Sequence, residues 1–214
     1  MGVGASAGAT PRDAAADRCL TVGPYHWVMV KVGVLALQGD FREHARVLEQ
    51  LDAAPVEVRT PTHLSDVQAL VIPGGESTTI GKLARAAELV DPIRSRADAG
   101  MPILGTCAGM IALAQRVLDG EPLLGLMDVT VRRNAYGRQV DSFEADVDVE
   151  GIDHPVRGVF IRAPWIEEIG DRVEVLAEHE GRPVVLRQGG LLSASFHPEL
   201  VGETALHEAF LSLL

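Results

Sequence analysis

Pro102-Ile103-Leu104-Gly105-Thr106-Cys107-Ala108-Gly109 reads as a short buried strand that runs into a glycine-framed turn and then into a helix expected over residues 108–117. The apolar run is short and bounded by glycine, which suits an interior strand. The pattern Gly-x-Cys-x-Gly at 105–109 has the form of a nucleophile elbow with a thiol in place of the hydroxyl. In such an elbow the reactive side chain sits on a sharp, strained strand-to-helix turn. Glycines on both sides let neighbouring backbone approach where a Cβ would collide. A free cysteine is ordinarily a small buried residue. One at a helix N-terminus is different, because unpaired N–H groups and the helix dipole stabilise a thiolate.

Working outward, two upstream runs follow the same grammar. Residues 30–37 form an apolar strand ending at Leu37-Gln38-Gly39-Asp40, and a helical stretch over 41–51 follows, with Phe41, Ala45, Leu48 and Leu51 spaced for one buried face. Ala69-Leu70-Val71-Ile72 stops at Pro73-Gly74-Gly75-Glu76-Ser77, with a helix from about Thr78 and another over 89–97. A short strand is expected at 55–58. Strands alternating with helices predict an α/β fold: an open, mainly parallel sheet with helices on both faces.

Beyond Gly120 the texture changes to short strands at 126–133, 142–149, 157–161, 173–177, 183–187 and 191–196, closed by a helix over 203–214. These read as antiparallel additions and an extension of the sheet. In open sheets of this kind ligands bind at the carboxyl ends of the strands. Three such ends carry unusual residues here: Gln38-Gly39, Gly74-Gly75-Glu76-Ser77 and Cys107.

The 214 residues, 47% of them hydrophobic, suffice for one well-filled core, and neither a repeat nor a linker divides them. No apolar stretch approaches the roughly 20 residues of a membrane-spanning helix. A formal charge of -11 argues against sequence-independent binding to nucleic acid or to anionic membranes. Two cysteines, Cys19 and Cys107, exclude a disulfide framework, and a reducing, cytoplasmic setting is expected. Residues 1–18 are rich in Gly, Ala, Ser, Thr and Asp with little to bury. Residues 1–28 are therefore expected to be a disordered leader or start-site extension, with translation beginning near Met29 and the folded domain over 29–214. Native peptides from residues 1–18 in mass spectrometry would count against that.

A thiol nucleophile needs a base. Of seven histidines, His26 lies in the leader, His44 and His207 fall in helical stretches, and His63, His154 and His179 lie in turns without a companion pattern. Ser195-Phe196-His197-Pro198-Glu199 stands apart. It ends a strand, and a separation of two residues turns His197 and Glu199 to one side of an extended backbone. Pro198 fixes φ between them. A carboxylate on one imidazole nitrogen sets the tautomer and frees the other nitrogen to take the thiol proton. No Cys/His cluster has zinc spacing.

The elbow at 105–109 and His-Pro-Glu at 197–199 resemble the triad class of glutamine amidotransferases. Six further motifs narrow the resemblance: Leu-Ala-Leu-Gln-Gly-Asp at 35–40, Pro-Gly-Gly-Glu-Ser-Thr at 73–78, Arg-Asn-Ala-Tyr-Gly-Arg-Gln at 133–139, Asp-Ser-Phe-Glu at 141–144, Phe-Ile-Arg-Ala-Pro at 160–164 and Ser-Phe-His-Pro-Glu-Leu at 195–200. Together they are similar to the glutaminase subunits of pyridoxal 5'-phosphate synthases, over residues 30–214. The resemblance implies the three-layer, flavodoxin-like sheet of class I glutamine amidotransferases and no cofactor. It implies Cys107 as nucleophile, His197 as base and acid, and Glu199 as its orienter. It places Gly75, Glu76, Ser77, Arg133, Ile161 and Arg162 around L-glutamine, with Gly75 and Ala108 N–H groups as oxyanion donors and Gln38 nearby. Arg133 suits the substrate carboxylate and Glu76 its ammonium, while Arg132, Arg138 and Arg157 are alternative arginines. It also implies a barrel-shaped synthase subunit as hetero-oligomeric partner. Rival readings are a glutaminase of histidine or guanine nucleotide synthesis, a redox sensor on the same scaffold, and an ester or peptide hydrolase.

Overall fold

The computed structural model describes residues 20–21, 27–133 and 142–214. The chain forms two compact units, residues 1–30 and residues 31–214. In the first, β1 (Leu20–Thr21) pairs antiparallel with β2 (Trp27–Val28). The expected disorder of residues 1–18 falls outside the described residues.

The second unit is built on a seven-stranded sheet. Its strands are β3 (Lys31–Leu35), β4 (Ala54–Val58), β5 (Ala69–Ile72), β6 (Ile103–Thr106), β12 (Glu174–His179), β13 (Arg182–Gln188) and β14 (Leu191–Ala194). They lie in the order β12-β13-β14-β6-β5-β3-β4, parallel from β14 to β4 and antiparallel from β12 to β14. The central strands β5, β6 and β14 are buried at every residue, as parallel strands covered on both faces must be.

The helices are α1 (Phe41–Gln50), α2 (Pro61–Ser65), α3 (Ser77–Ala86), α4 (Val90–Asp98), α5 (Ala108–Leu113) and α6 (Ala205–Leu211). Leu64, Ile80, Ile93 and Met110 carry α2 to α5 into one continuous core with Ile72 and Ile103 of the sheet. Side chains alternate along a strand, so Thr106 points to the face opposite Ile103. There Thr106 meets His44 of α1, which in turn meets His207 of α6.

The second half supplies smaller sheets: β11 (Trp165–Ile169), β8 (Met127–Arg132) and β7 (Ala114–Leu118) in that order, and a hairpin of β9 (Phe143–Val147) with β10 (Val156–Phe160). Here the structure corrects the sequence reading. The helix expected over 108–117 stops at Leu113, because Ala114 turns extended at ψ 140° and the next residues join β8 as a parallel strand. Five residues such as Ala-Gln-Arg-Val-Leu fit either period, and the ladder to β8 decides. The buried face of α1 is His44, Val47 and Leu48, whereas Phe41 and Ala45 are only half-buried. Strand β11 and helix α2 were not expected, and the closing helix is shorter than 203–214, being preceded by a 3-10 turn over Glu199–Val201. No helix among the described residues is long and apolar enough to cross a membrane.

Candidate active site

The register of two strands brings the site together. Leu191 stands opposite Ile103 and Ala194 opposite Thr106, and the ladder is extended by the Cys107 N–H donating to the Ala194 carbonyl at 2.8 Å. Residues just past the two strand ends therefore lie side by side, Cys107 on one and His197 on the other. Val159 of β10 clamps the His197 backbone from outside, donating to its carbonyl at 3.2 Å and accepting from its N–H at 2.9 Å.

Cys107 sits at φ 48°, ψ -102°, immediately before α5. A non-glycine residue in that region is strained and persists only where its surroundings fix it. The fixing is visible at Gly109, where a Cβ would land on the carbonyl oxygen of Ile72. Only glycine lets α5 start this close to β5. The Cys107 thiol lies 3.8 Å from the Ile161 carbonyl, its acceptor. Its own N–H is committed to Ala194, which removes it as an oxyanion donor and leaves Ala108 and Gly75 as the neighbouring backbone candidates.

His197 is buried against Cys107 and holds Nδ1 2.8 Å from Oε1 of Glu199. Burial pulls the imidazole pKa down, but hydrogen bonds to Cys107 and Glu199 outweigh it and the group stands well above 6.5. Glu199 is also buried, which would raise its pKa, yet His44 and His197 beside it hold the carboxyl below the usual range. A third acid, Asp40, lies 3.5 Å from His197 Nδ1, and partial burial raises its pKa. Asp40, His197 and Glu199 bring three potential ligand atoms within 4.8 Å of one another. Nδ1 of His197 is already engaged by Glu199, so the grouping is explained by the hydrogen-bonded pair.

Above Cys107 opens a cavity of about 310 Å³, bordered by Gln38, Gly75, Glu76, Ser77, Ala108, Arg133, Ile161, Arg162 and His197. Every residue placed around the substrate by the sequence reading thus meets in one cavity, and Glu199 lies behind it. Gln38 Oε1 accepts from the Glu76 N–H at 2.7 Å and holds the 75–76 backbone over the site. Glu76 also caps α3: its carboxylate accepts from Thr78 N–H, Thr79 N–H and Thr79 Oγ1 at 3.0, 2.7 and 2.6 Å. The Thr79 hydroxyl, against the cost of burial, leads the bonds that lower its pKa to about 2, so it is anionic at neutral pH. Arg133 stands 3.6 Å from Glu76 and donates to Thr78 Oγ1 at 3.1 Å. Of the alternative arginines, Arg132 pairs with Glu167, Arg157 with Glu144 and Asp146, and Arg138 lies outside the described residues. Among the described residues, Arg133 and Arg162 are the arginines on the cavity.

Comparison with known proteins gives this constellation its context. Residues 34–213 match the model of the SNO glutamine amidotransferase family. The chain belongs to that family. A Frankia alni protein named pyridoxal 5'-phosphate synthase subunit PdxT is 55% identical over 188 residues, 86% of this chain and 94% of its own length. A protein of the same name from Mycobacteroides abscessus is 54% identical over 186 residues, 86% of this chain and 96% of its own. A crystal structure of a glutamine amidotransferase superposes with a TM-score of 0.81 at 51% identity, covering 85% of this chain and 97% of that one. As a glutamine amidotransferase the chain takes nitrogen from the amide of glutamine, and the redox-sensor and ester-hydrolase readings fall away.

Sequence reasoning passed over four residues at this amidotransferase site. Asp40 stands in the sequence only within its motif, Thr106 within the elbow, and His44 and His207 within helical stretches. The one available signal was His44 at a position where the helix pattern puts an apolar side chain.

Proposed function

We propose that this chain hydrolyses L-glutamine to L-glutamate and ammonia through Cys107, His197 and Glu199, and delivers the ammonia to a separate synthase subunit that makes pyridoxal 5'-phosphate. The observation that carries this reading is the pairing at the elbow: a strained Cys107 against His197, whose other nitrogen is held 2.8 Å from Glu199.

His197 accepts the Cys107 proton, and the thiolate attacks the amide carbon of glutamine. The N–H groups of Ala108 and Gly75 stabilise the tetrahedral oxyanion, with Gln38 holding the adjacent backbone. His197, now protonated, donates to the departing nitrogen, and ammonia leaves a thioester on Cys107. Water, deprotonated by His197, hydrolyses the thioester and restores the thiol. Arg133 and Arg162 receive the substrate carboxylate, and Glu76, anionic at the cavity wall, its ammonium. Ser77 and Ile161 complete the cavity.

The partner is supported by the names of the relatives from Frankia alni and Mycobacteroides abscessus. It is a barrel-shaped subunit in a cytoplasmic hetero-oligomer, and the glutaminase is weakly active until docked. The test is glutamine hydrolysis by the chain co-purified with that synthase subunit. Glutamate and ammonia are expected in equal amounts, and a verified complex that releases neither overturns the reading.

A further inference from the structure

Behind the pair of His197 and Glu199 lies a second pair of imidazoles that the mechanism above does not use. His44 and His207 are both fully buried, one on α1 and one on α6. His44 Nδ1 lies 2.8 Å from His207 Nε2. His44 Nε2 lies 3.0 Å from Thr106 Oγ1 and 3.4 Å from Glu199 Oε1. Thr106 directly precedes the nucleophile, and the same Glu199 oxygen holds His197. One imidazole therefore touches both the strand end that carries Cys107 and the carboxylate that orients its base.

The protons in this cluster can be placed. Burial pushes His207 down to about 3, so its ring is neutral and carries a single N–H. Its Nδ1 has no hydrogen-bond partner among the described residues. A buried orphan N–H costs more than an unused ring lone pair. The His207 proton therefore sits on Nε2 and donates to His44 Nδ1. His44 Nδ1 accepts that proton, which leaves the His44 N–H on Nε2. That N–H faces an ionised carboxylate, which only accepts. Donation runs His207 to His44 to Thr106 Oγ1, and the same N–H stands 3.4 Å from Glu199 Oε1, the oxygen that holds His197.

We propose that His44 is a positioning residue of the glutaminase: its Nε2–H, bonded to Thr106 and set against the Glu199 carboxylate, locks the base to the nucleophile elbow, while His207 sets the tautomer that makes this possible. The inference rests on the triad reading of the site. Without that N–H beside it, Glu199 rotates more freely, His197 loses its orientation toward Cys107, and Cys107 reacts more slowly.

The test compares His44→Gln, whose amide N–H reaches the place of Nε2, with His44→Asn, whose shorter side chain reaches only His207. Two rates are read at neutral pH: alkylation of Cys107 by iodoacetamide in the isolated chain, and kcat and KM for glutamine in the complex with the synthase. His44→Asn is expected to lose roughly tenfold in both alkylation rate and kcat, as for one buried hydrogen bond, with KM changed less than twofold. His44→Gln should recover to within about threefold of the wild type. Equal impairment of the two variants, or an alkylation rate in His44→Asn within twofold of the wild type, overturns the proposal. A wild-type complex without glutamine turnover would fail the functional reading instead, and the alkylation rates would still decide the role of His44.

Discussion

Cys107, the proposed nucleophile, holds a backbone conformation it would not adopt in a free peptide, and the residues that hold it there define what the site tolerates. Replacing Cys107 by Ala removes the nucleophile while leaving the elbow glycines in place. Glutamine hydrolysis should fall at least ~10³-fold with the melting curve kept, which ammonia release and circular dichroism would show. Gly74 is a second fixed point: a Cβ there would strike Cε1 of the His197 ring and come within 2.8 Å of its Nδ1. Gly74→Ala should therefore shift the imidazole and lower kcat by about 10²-fold, the usual effect of a displacement near 1 Å at a reacting group. His207 governs the response to acid. Its folded pKa near 3 lies below the ordinary 6.5 of an imidazole, so between those values the unfolded chain binds the extra proton. Stability is full above pH 6.5 and is lost as the pH falls toward 3, by about 1.4 kcal/mol per pH unit. Urea unfolding between pH 6 and 5 should show that slope. A flat profile would mean that His207 titrates normally.

At the scale of elements, the parts most legible in the sequence were those with several agreeing signals. The strand–glycine–helix grammar marked β3, β5 and β6, and the helices that follow them, because burial on both faces leaves near-continuous apolar runs. The grouping of Cys107, His197 and Glu199 was readable because Gly-x-Cys-x-Gly and His-Pro-Glu impose their geometry locally. What escaped depends on partners far along the chain. Residues 114–118 became strand only because β8 lies beside them. His44 took a core position because Thr106 and His207 supply its hydrogen bonds and Glu199 lies 3.4 Å away. Helix α2 was legible in principle: Thr60 caps it, accepting from His63 N–H, and Pro61 stands at its first turn. The start of α3 joins stability to binding, since the Glu76 carboxylate that faces the cavity also caps the helix. Glu76→Ala should cost about 1 kcal/mol in urea unfolding and raise KM for glutamine. Because the Glu76 pKa is lowered from 4.5 to about 2, the cap's contribution is present above pH 4.5 and is lost as the pH falls through 2. The stability gap between wild type and Glu76→Ala should close over that range. A gap constant from pH 5 to pH 2 would exclude the carboxylate as the cap.

At the scale of the whole molecule, the proposed reading gives the described residues a site that releases ammonia. Ammonia freed into water is protonated and lost, so a glutaminase of this kind is useful only when an acceptor is docked. The structure offers a place where docking could act. The 74–76 backbone, with its oxyanion candidate at Gly75, borders the cavity over Cys107 and is tied to Gln38 by the 2.7 Å bond from Glu76 N–H and to Asp40, whose N–H donates to the Gly74 carbonyl at 3.3 Å. A partner that shifts Gln38 or the 74–76 segment by a fraction of an ångström would complete or spoil the oxyanion site, worth ~10²–10³ in turnover for one donor. On the proposed reading Arg133 and Arg162, which receive the carboxylate of glutamine, lie on other elements and need not move, and the Glu76 carboxylate is held at α3 by Thr78 and Thr79. Titrating the synthase subunit into the chain should therefore raise kcat for glutamine until the chains are fully paired, with KM changed far less than kcat. Turnover measured against the fraction of complex seen by size-exclusion chromatography would check this. An unchanged kcat in a fully formed complex would mean that the oxyanion site is already assembled in the free chain, and that docking serves ammonia transfer alone.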